Sequence, residues 1–288
     1  MFDLLMSCDD LRARMQTPDC LVFDVRHDLA DHDAGRRAYD EGHIPGAIHL
    51  DHERQLAAPR TGRNGRHPLP DLADFSALMR AQGLTSASQV VVYDDGNSMF
   101  ASHVWWMLRW LGHEGVAVLD GGWRAWVESG GAVETRGNDA TVTEGQAVES
   151  IAVAARPSMP LVDAAAVQAN LADPVFTVLD ARAHNRYRGE VEPLDPVAGH
   201  IPGALNRPSG LNVEPDGRFK PPGQLRAEFS ALLGDTPAPL VVHQCGSGIT
   251  ACHNLFAMEL AGLKGSALYP GSWSEWCSDS GRPVATGS

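Results

Sequence analysis

Val241-Val242-His243-Gln244-Cys245-Gly246-Ser247-Gly248-Ile249-Thr250 decides the reading of this chain. An apolar run delivers a single cysteine into a short loop with two glycines, and a stretch of helical spacing begins near Thr250. Strand, tight loop and helix are the units of α/β sheets, whose ligands sit at the carboxyl ends of strands. The thiol therefore lies in a cradle of backbone N–H groups at the positive end of a helix. Such a cradle stabilises negative charge on sulfur and favours a nucleophile. The competing reading is a packed, inert cysteine after a core strand, and the rest of the chain argues against it.

Working outward, the two halves of the chain repeat each other. Phe23-Asp24-Val25-Arg26 matches Leu179-Asp180-Ala181-Arg182, and Gly42-His43-Ile44-Pro45-Gly46-Ala47 recurs identically at Gly199-His200-Ile201-Pro202-Gly203-Ala204. Val91-Val92-Tyr93-Asp94-Asp95-Gly96 aligns with Val241-Val242-His243-Gln244-Cys245-Gly246. Gly121-Gly122-Trp123-Arg124-Ala125-Trp126 aligns with Gly271-Ser272-Trp273-Ser274-Glu275-Trp276. The last two pairs share an offset of 150 (245 minus 95, 273 minus 123). A period this long means duplicated domains, not a solenoid. The expected division is a domain over 1–137, a linker over 138–160 rich in Ala, Val, Thr and Glu, and a second domain over 161–288.

Each half reads as alternating strand and helix. Short runs rich in Val and Leu predict strands at Leu21 to Val25, Val90 to Tyr93, Ala117 to Leu119, Thr177 to Leu179, Leu240 to His243 and Ser266 to Tyr269. Helical spacing covers Leu72 to Gln82, Ser102 to Leu111, Gln224 to Leu233 and Thr250 to Ala261. That alternation predicts an α/β fold in which each domain is a parallel β-sheet with helices on both faces.

Composition narrows the setting. The 288 residues carry a formal net charge of -13 and no basic run, which argues against nucleic acid and anionic membranes as partners. No apolar run reaches the ~20 residues of a membrane span. Five sparse cysteines fit free thiols in a reducing, cytoplasmic compartment. His243, Cys245, Cys252 and His253 lack paired metal-ligand spacing, so no metal and no organic cofactor is expected.

With these motifs in order and twice over, the chain resembles the tandem-domain sulfurtransferases of the rhodanese superfamily. The resemblance covers nearly the whole chain. It implies two rhodanese-like domains, with the cysteine in the second and a catalytically silent first domain, where Asp95 occupies the cysteine position. A carboxylate cannot accept sulfane sulfur as a thiolate does. The Cys245-to-Thr250 loop is similar to that of the 3-mercaptopyruvate sulfurtransferases. The thiosulfate-preferring members typically carry basic loop residues, and Gly246, Ser247 and Gly248 supply none.

The resemblance implies roles for particular residues. Cys245 attacks the outer sulfur of the donor and becomes a persulfide, and a thiol or cyanide acceptor then removes it. The N–H groups of Gly246, Ser247, Gly248, Ile249 and Thr250 hold the sulfur anion. Ser247, His67 in His67-Pro68-Leu69-Pro70 and Glu53 in Asp51-His52-Glu53 form a proton relay for the departing enolate. Taken alone, His67 and Glu53 read more readily as an exposed loop histidine and a solvated carboxylate, and only the resemblance brings the relay level with that reading. Arg186 matches the substrate-binding arginine, with Arg188 close by in sequence. A second arginine often follows a Glu-Pro pair, whereas this chain reads Glu192-Pro193-Leu194-Asp195, so that clamp is absent or supplied by Arg188 or another residue.

Other residues read structurally: Asp180 and Arg182 as braces of the Gly-His-Ile-Pro-Gly turn, Trp105, Trp106 and Trp110 as core or domain-interface residues, and Cys252 as packed. Three alternatives stand beside mercaptopyruvate transfer. They are a thiosulfate sulfurtransferase, a non-catalytic persulfide carrier, and a cysteine phosphatase. The phosphatase needs an arginine where Ala251 stands. A thioredoxin-like protein is among the acceptors the resemblance allows.

Overall fold

The computed structural model describes residues 2–135 and 158–288. Most of the linker expected over 138–160 lies outside the described residues. The first half contains β1 (Leu5–Met6), α1 (Cys8–Arg14), β2 (Cys20–Asp24), α2 (Ala34–Glu41), β3 (Ile48–His49), α3 (Leu72–Ala81), β4 (Gln89–Tyr93), α4 (Met99–Leu111), β5 (Val116–Leu119) and α5 (Gly122–Glu128). The second contains α6 (Ala164–Asn170), β6 (Thr177–Asp180), α7 (His184–Tyr187), β7 (Leu205–Asn206), α8 (Pro222–Leu233), β8 (Val241–Gln244), α9 (Ile249–Leu260), β9 (Ala267–Leu268) and α10 (Ser272–Trp276).

Two compact units result. One comprises residues 1–57, 70–158 and 215–218, and the other 58–69, 159–214 and 219–288. The units are discontinuous in sequence: residues 58–69 belong to the second and residues 215–218 to the first. Residues 58–69 are hydrogen-bonded into the second unit, through Arg66 N–H to Ser274 Oγ at 3.0 Å and His67 to Ser247.

The sheet of the first unit runs β1-β5-β4-β2-β3 and that of the second β7-β6-β8-β9, and every pairing within them is parallel. Strand β4 is buried at all five positions and β8 at all four, as expected for central strands covered on both faces. The longer predicted elements are present with ends moved by at most three residues. Of the two-residue strands only β9 was read from the sequence; β1, β3, β7 and the short helices escaped the periodicity reading, because they are too short to show a period.

The repeated motifs meet in space. In the first unit Arg26 grips Asp24 through Nε and Nη2 (2.7 Å for the latter), donates to the Gly42 carbonyl at 2.6 Å, and lies 4.7 Å over the Trp123 ring. In the second, Arg182 binds Asp180 at 2.7 Å and the Gly199 carbonyl at 2.7 Å, and lies 4.7 Å over Trp273. Three motifs far apart in sequence thus form one buried bracket, made twice. Burial works against the charge of Arg182, but Asp180 and Glu192 outweigh it and raise the guanidinium above its usual range. Its presence in both units marks it as structural. Asp180→Ala leaves Arg182 buried without its main counter-charge, and a loss of about 3–5 kcal/mol is expected. Urea unfolding with an unchanged midpoint would refute that role.

Candidate active site

Cys245 follows β8 at its carboxyl end and is 1% exposed. Its backbone is held from three sides. The Cys245 N–H donates to Ser272 Oγ at 3.1 Å, while Trp273 N–H donates to the Cys245 carbonyl at 2.9 Å and Ser274 N–H to the Gly246 carbonyl at 3.0 Å. The Gly248 N–H donates to the cysteine Sγ at 3.2 Å. Gly248 has φ +94°, and a side chain there would stand 2.5 Å from the Pro270 carbonyl oxygen, so only glycine turns this N–H toward the sulfur. Ser272 adopts φ +53° although it is not glycine. The equivalent position of the first unit is Gly122. The strain of a left-handed serine is offset by its hydroxyl, which also donates to the Tyr269 carbonyl at 2.9 Å.

The loop opens directly into α9, of which Ile249, Ala251, Cys252 and the following residues through Met258 are buried. Its N-terminal N–H groups are thus fixed by packing. Cys252 donates from Sγ to the Gly248 carbonyl at 3.5 Å. Burial, and next the charge of Cys245, push its thiol well above the ordinary range. It is a packed thiol, as the sequence reading favours.

Ser247 and His67, 180 residues apart, are brought together: the hydroxyl lies 2.8 Å from His67 Nδ1, and both residues are buried. Glu53 belongs to the first unit, where its carboxylate stands 3.5 Å from His32 Nδ1. Arg186 donates to Glu192 Oε1 at 2.6 Å, with Asp195 at 3.5 Å, while its Nε is buried without a hydrogen-bond partner among the described residues. That donor points to a site prepared for an anion. Arg188 pairs with Glu190 at 2.7 Å on the exposed surface.

The sequence reading missed Arg66. It ion-pairs with Asp195, and a side chain at Gly246 would meet its Nη2 at 2.8 Å and the Arg186 Nη1 and Nη2 at 3.5 and 3.6 Å. Two guanidiniums therefore pack on the loop backbone, held by the buried carboxylates of Glu192 and Asp195. The loop itself is neutral, as its sequence says, but its surroundings are not. The one available signal was a basic residue directly before His67 in an acidic chain.

The first unit carries the same loop with its cradle filled. Asp94, one residue before Asp95, accepts from Gly96 N–H and Ser98 N–H at 3.0 Å, from Phe100 N–H at 2.9 Å and from Ala101 N–H at 3.2 Å. Its counterpart Gln244 leaves both amide atoms without a partner among the described residues. The sequence reading attributed the silence of this domain to Asp95. In the structure it is Asp94 that bonds the N–H groups that could otherwise face an anion.

No helix among the described residues is long and apolar enough to cross a membrane. All five cysteines are free. The family model of the rhodanese-like domain matches twice, at residues 7–129 and 163–279. The chain is 51% identical over 288 residues to the Pseudomonas aeruginosa protein named "Probable 3-mercaptopyruvate sulfurtransferase", with 98% of each covered. It is 35% identical over 275 residues to the thiosulfate sulfurtransferase of Bos taurus, covering 93% of this chain and 88% of that one. Among solved structures, SseA of Escherichia coli, described with the 3-mercaptopyruvate sulfotransferases, superposes with a TM-score of 0.78 at 31% identity, over 93% of this chain and 98% of that one. A doubled α/β sheet, a cradled cysteine in one copy only, and these matches place the chain in the rhodanese-like domain family, as a two-domain sulfurtransferase.

Proposed function

We propose that the chain moves sulfane sulfur from 3-mercaptopyruvate to a thiol or cyanide acceptor through a persulfide on Cys245, releasing pyruvate. The observation that carries this reading is the Ser247 hydroxyl held 2.8 Å from His67 beside the nucleophile. The Cys245 thiolate forms an S–S bond to the donor sulfur, and the donor C–S bond breaks. The electron pair of that bond leaves on carbon as the enolate of pyruvate, which needs a proton. Ser247 with His67 behind it is placed to deliver one. Glu53 is the acidic member of the relay assigned from the sequence. Thiolate or cyanide then attacks the outer sulfur of the persulfide and returns Cys245 to its starting state. The loop N–H groups from Gly246 to Thr250 hold the sulfur anion between the two halves, and Arg186 holds the donor carboxylate.

A thiosulfate reading has its own support: two guanidiniums beside Gly246 suit a dianionic donor, and a relative is named for that activity. Measuring kcat/KM for both donors, with cyanide as acceptor, decides between them. A large preference for mercaptopyruvate supports the first reading, and a preference for thiosulfate overturns it. The acceptor in the cell is proposed to be a small thiol or a thioredoxin-like protein. A cytoplasmic location accords with the free thiols.

Arg66→Met is expected to raise KM for either donor by roughly ten- to a hundredfold, because it removes one cation and leaves Asp195 facing the incoming anion. The effect on kcat should be smaller, and Arg66→Lys should restore part of the binding. A fall in kcat at constant KM would show that Arg66 does not bind the donor.

A further inference from the structure

The first unit brings together three metal-binding side chains, of which the relay reading uses Glu53 alone and the sulfur chemistry uses neither His27 nor His32. One ring nitrogen each of His27 and His32 and one carboxylate oxygen of Glu53 lie within 4.8 Å of one another. His27 follows β2 and Glu53 follows β3, neighbouring parallel strands. The cluster thus sits at the carboxyl edge of the sheet, where α/β folds bind ligands. The His27 and His32 rings stack with centroids 5.7 Å apart at 29°.

One spacing in the trio already matches what a small divalent ion requires, and the others lie within 4.8 Å. Tetrahedral ligation at about 2.0–2.2 Å places ligand atoms roughly 3.3–3.6 Å apart. His32 Nδ1 and Glu53 Oε1 are already 3.5 Å apart. The side chain of His32 is 47% exposed, so its ring can turn without disturbing the core. A second observation is independent of this spacing: His27 Nε2 is buried and has no hydrogen-bond partner among the described residues. Buried polar atoms are rarely left so, and an ion is one of the partners that satisfies them. Two imidazoles and one carboxylate, with a position left for water, suit a borderline ion such as Zn²⁺ better than Mg²⁺ or Ca²⁺.

We propose that His27, His32 and Glu53 form a zinc-type divalent-metal site on the first unit, tying the loop after β2 to the loop after β3. The inference stands whether or not the donor of the sulfur reaction is mercaptopyruvate. The test is Zn²⁺ titration by calorimetry and Co²⁺ visible absorption on the full chain, for the native sequence and for His32→Ala. His32 is exposed, so the variant should fold as the native chain does. The expected result is one metal per chain, cobalt d–d bands without a thiolate charge-transfer band, at least about tenfold weaker binding in His32→Ala, and a Zn²⁺-dependent rise in Tm only when His32 is present. Failure to bind, binding unchanged in His32→Ala, or a thiolate band placing the metal on a cysteine would each overturn the proposal.

Discussion

Cys245→Ser is expected to abolish sulfur transfer from every donor, lowering kcat/KM by at least about a thousandfold. The reason is chemical before it is structural. A hydroxyl does not ionise near neutral pH, and oxygen does not form the sulfur–sulfur bond that stores the transferred atom. The replacement is close to isosteric, and the backbone contacts of residue 245 to Ser272 and Trp273 involve main-chain atoms that the substitution keeps. Folding should therefore be preserved while activity is lost. Cys252 should not take over, because burial holds its thiol protonated and it donates to the Gly248 carbonyl instead. Mass spectrometry after exposure to donor, without acceptor, should find one added sulfur on the native chain and none on the variant. Persulfide on the Cys245→Ser chain would mean that another cysteine is the carrier.

Ser247→Ala should separate the two donors. Loss of a positioned proton donor is expected to lower kcat for mercaptopyruvate by roughly a hundredfold or more. Thiosulfate turnover should change far less, since sulfite leaves without needing a proton on carbon. The change removes one hydroxyl from a buried loop and leaves His67 Nδ1 without that partner, so some stability is lost as well. Comparing the donors controls for this, because misfolding lowers both rates together. Equal losses for both would show that the serine only shapes the loop. Under the proton-relay reading, His67→Gln should show the same asymmetry.

The asymmetry between the two units bears on how the fold is reused. Asp95 denies the first unit a thiolate, but Asp94 goes further and bonds four loop N–H groups that an anion would need. A cysteine at position 95 alone would face a cradle already occupied by a carboxylate.

Much of this protein is local and was legible in its sequence. The central strands, the longer helices, the nucleophile and the duplication follow from short runs, because apolar period, glycine placement and strand-to-helix turns act over a few neighbouring residues. Asp180 and Arg182 could be assigned as braces from the repeat alone. Convergence of distant residues was not legible. Arg66 meets Asp195 across 129 positions and was not foreseen, while the meeting of His67 with Ser247 across 180 was expected only from the family resemblance, since no periodicity encodes such distances. The sequence placed the missing second arginine after Glu192-Pro193, where it found Leu194, whereas the structure brings a guanidinium to Gly246 from a different segment. His27 and His32 stand at His-x4-His spacing in one loop, and Glu53 joins them only through the pairing of β2 with β3. Hydrogen bonding and side-chain propensity along the chain determined the elements and the reacting sulfur. Which charges surround that sulfur was decided only by packing, since it depends on which loops the parallel sheet gathers at its carboxyl edge.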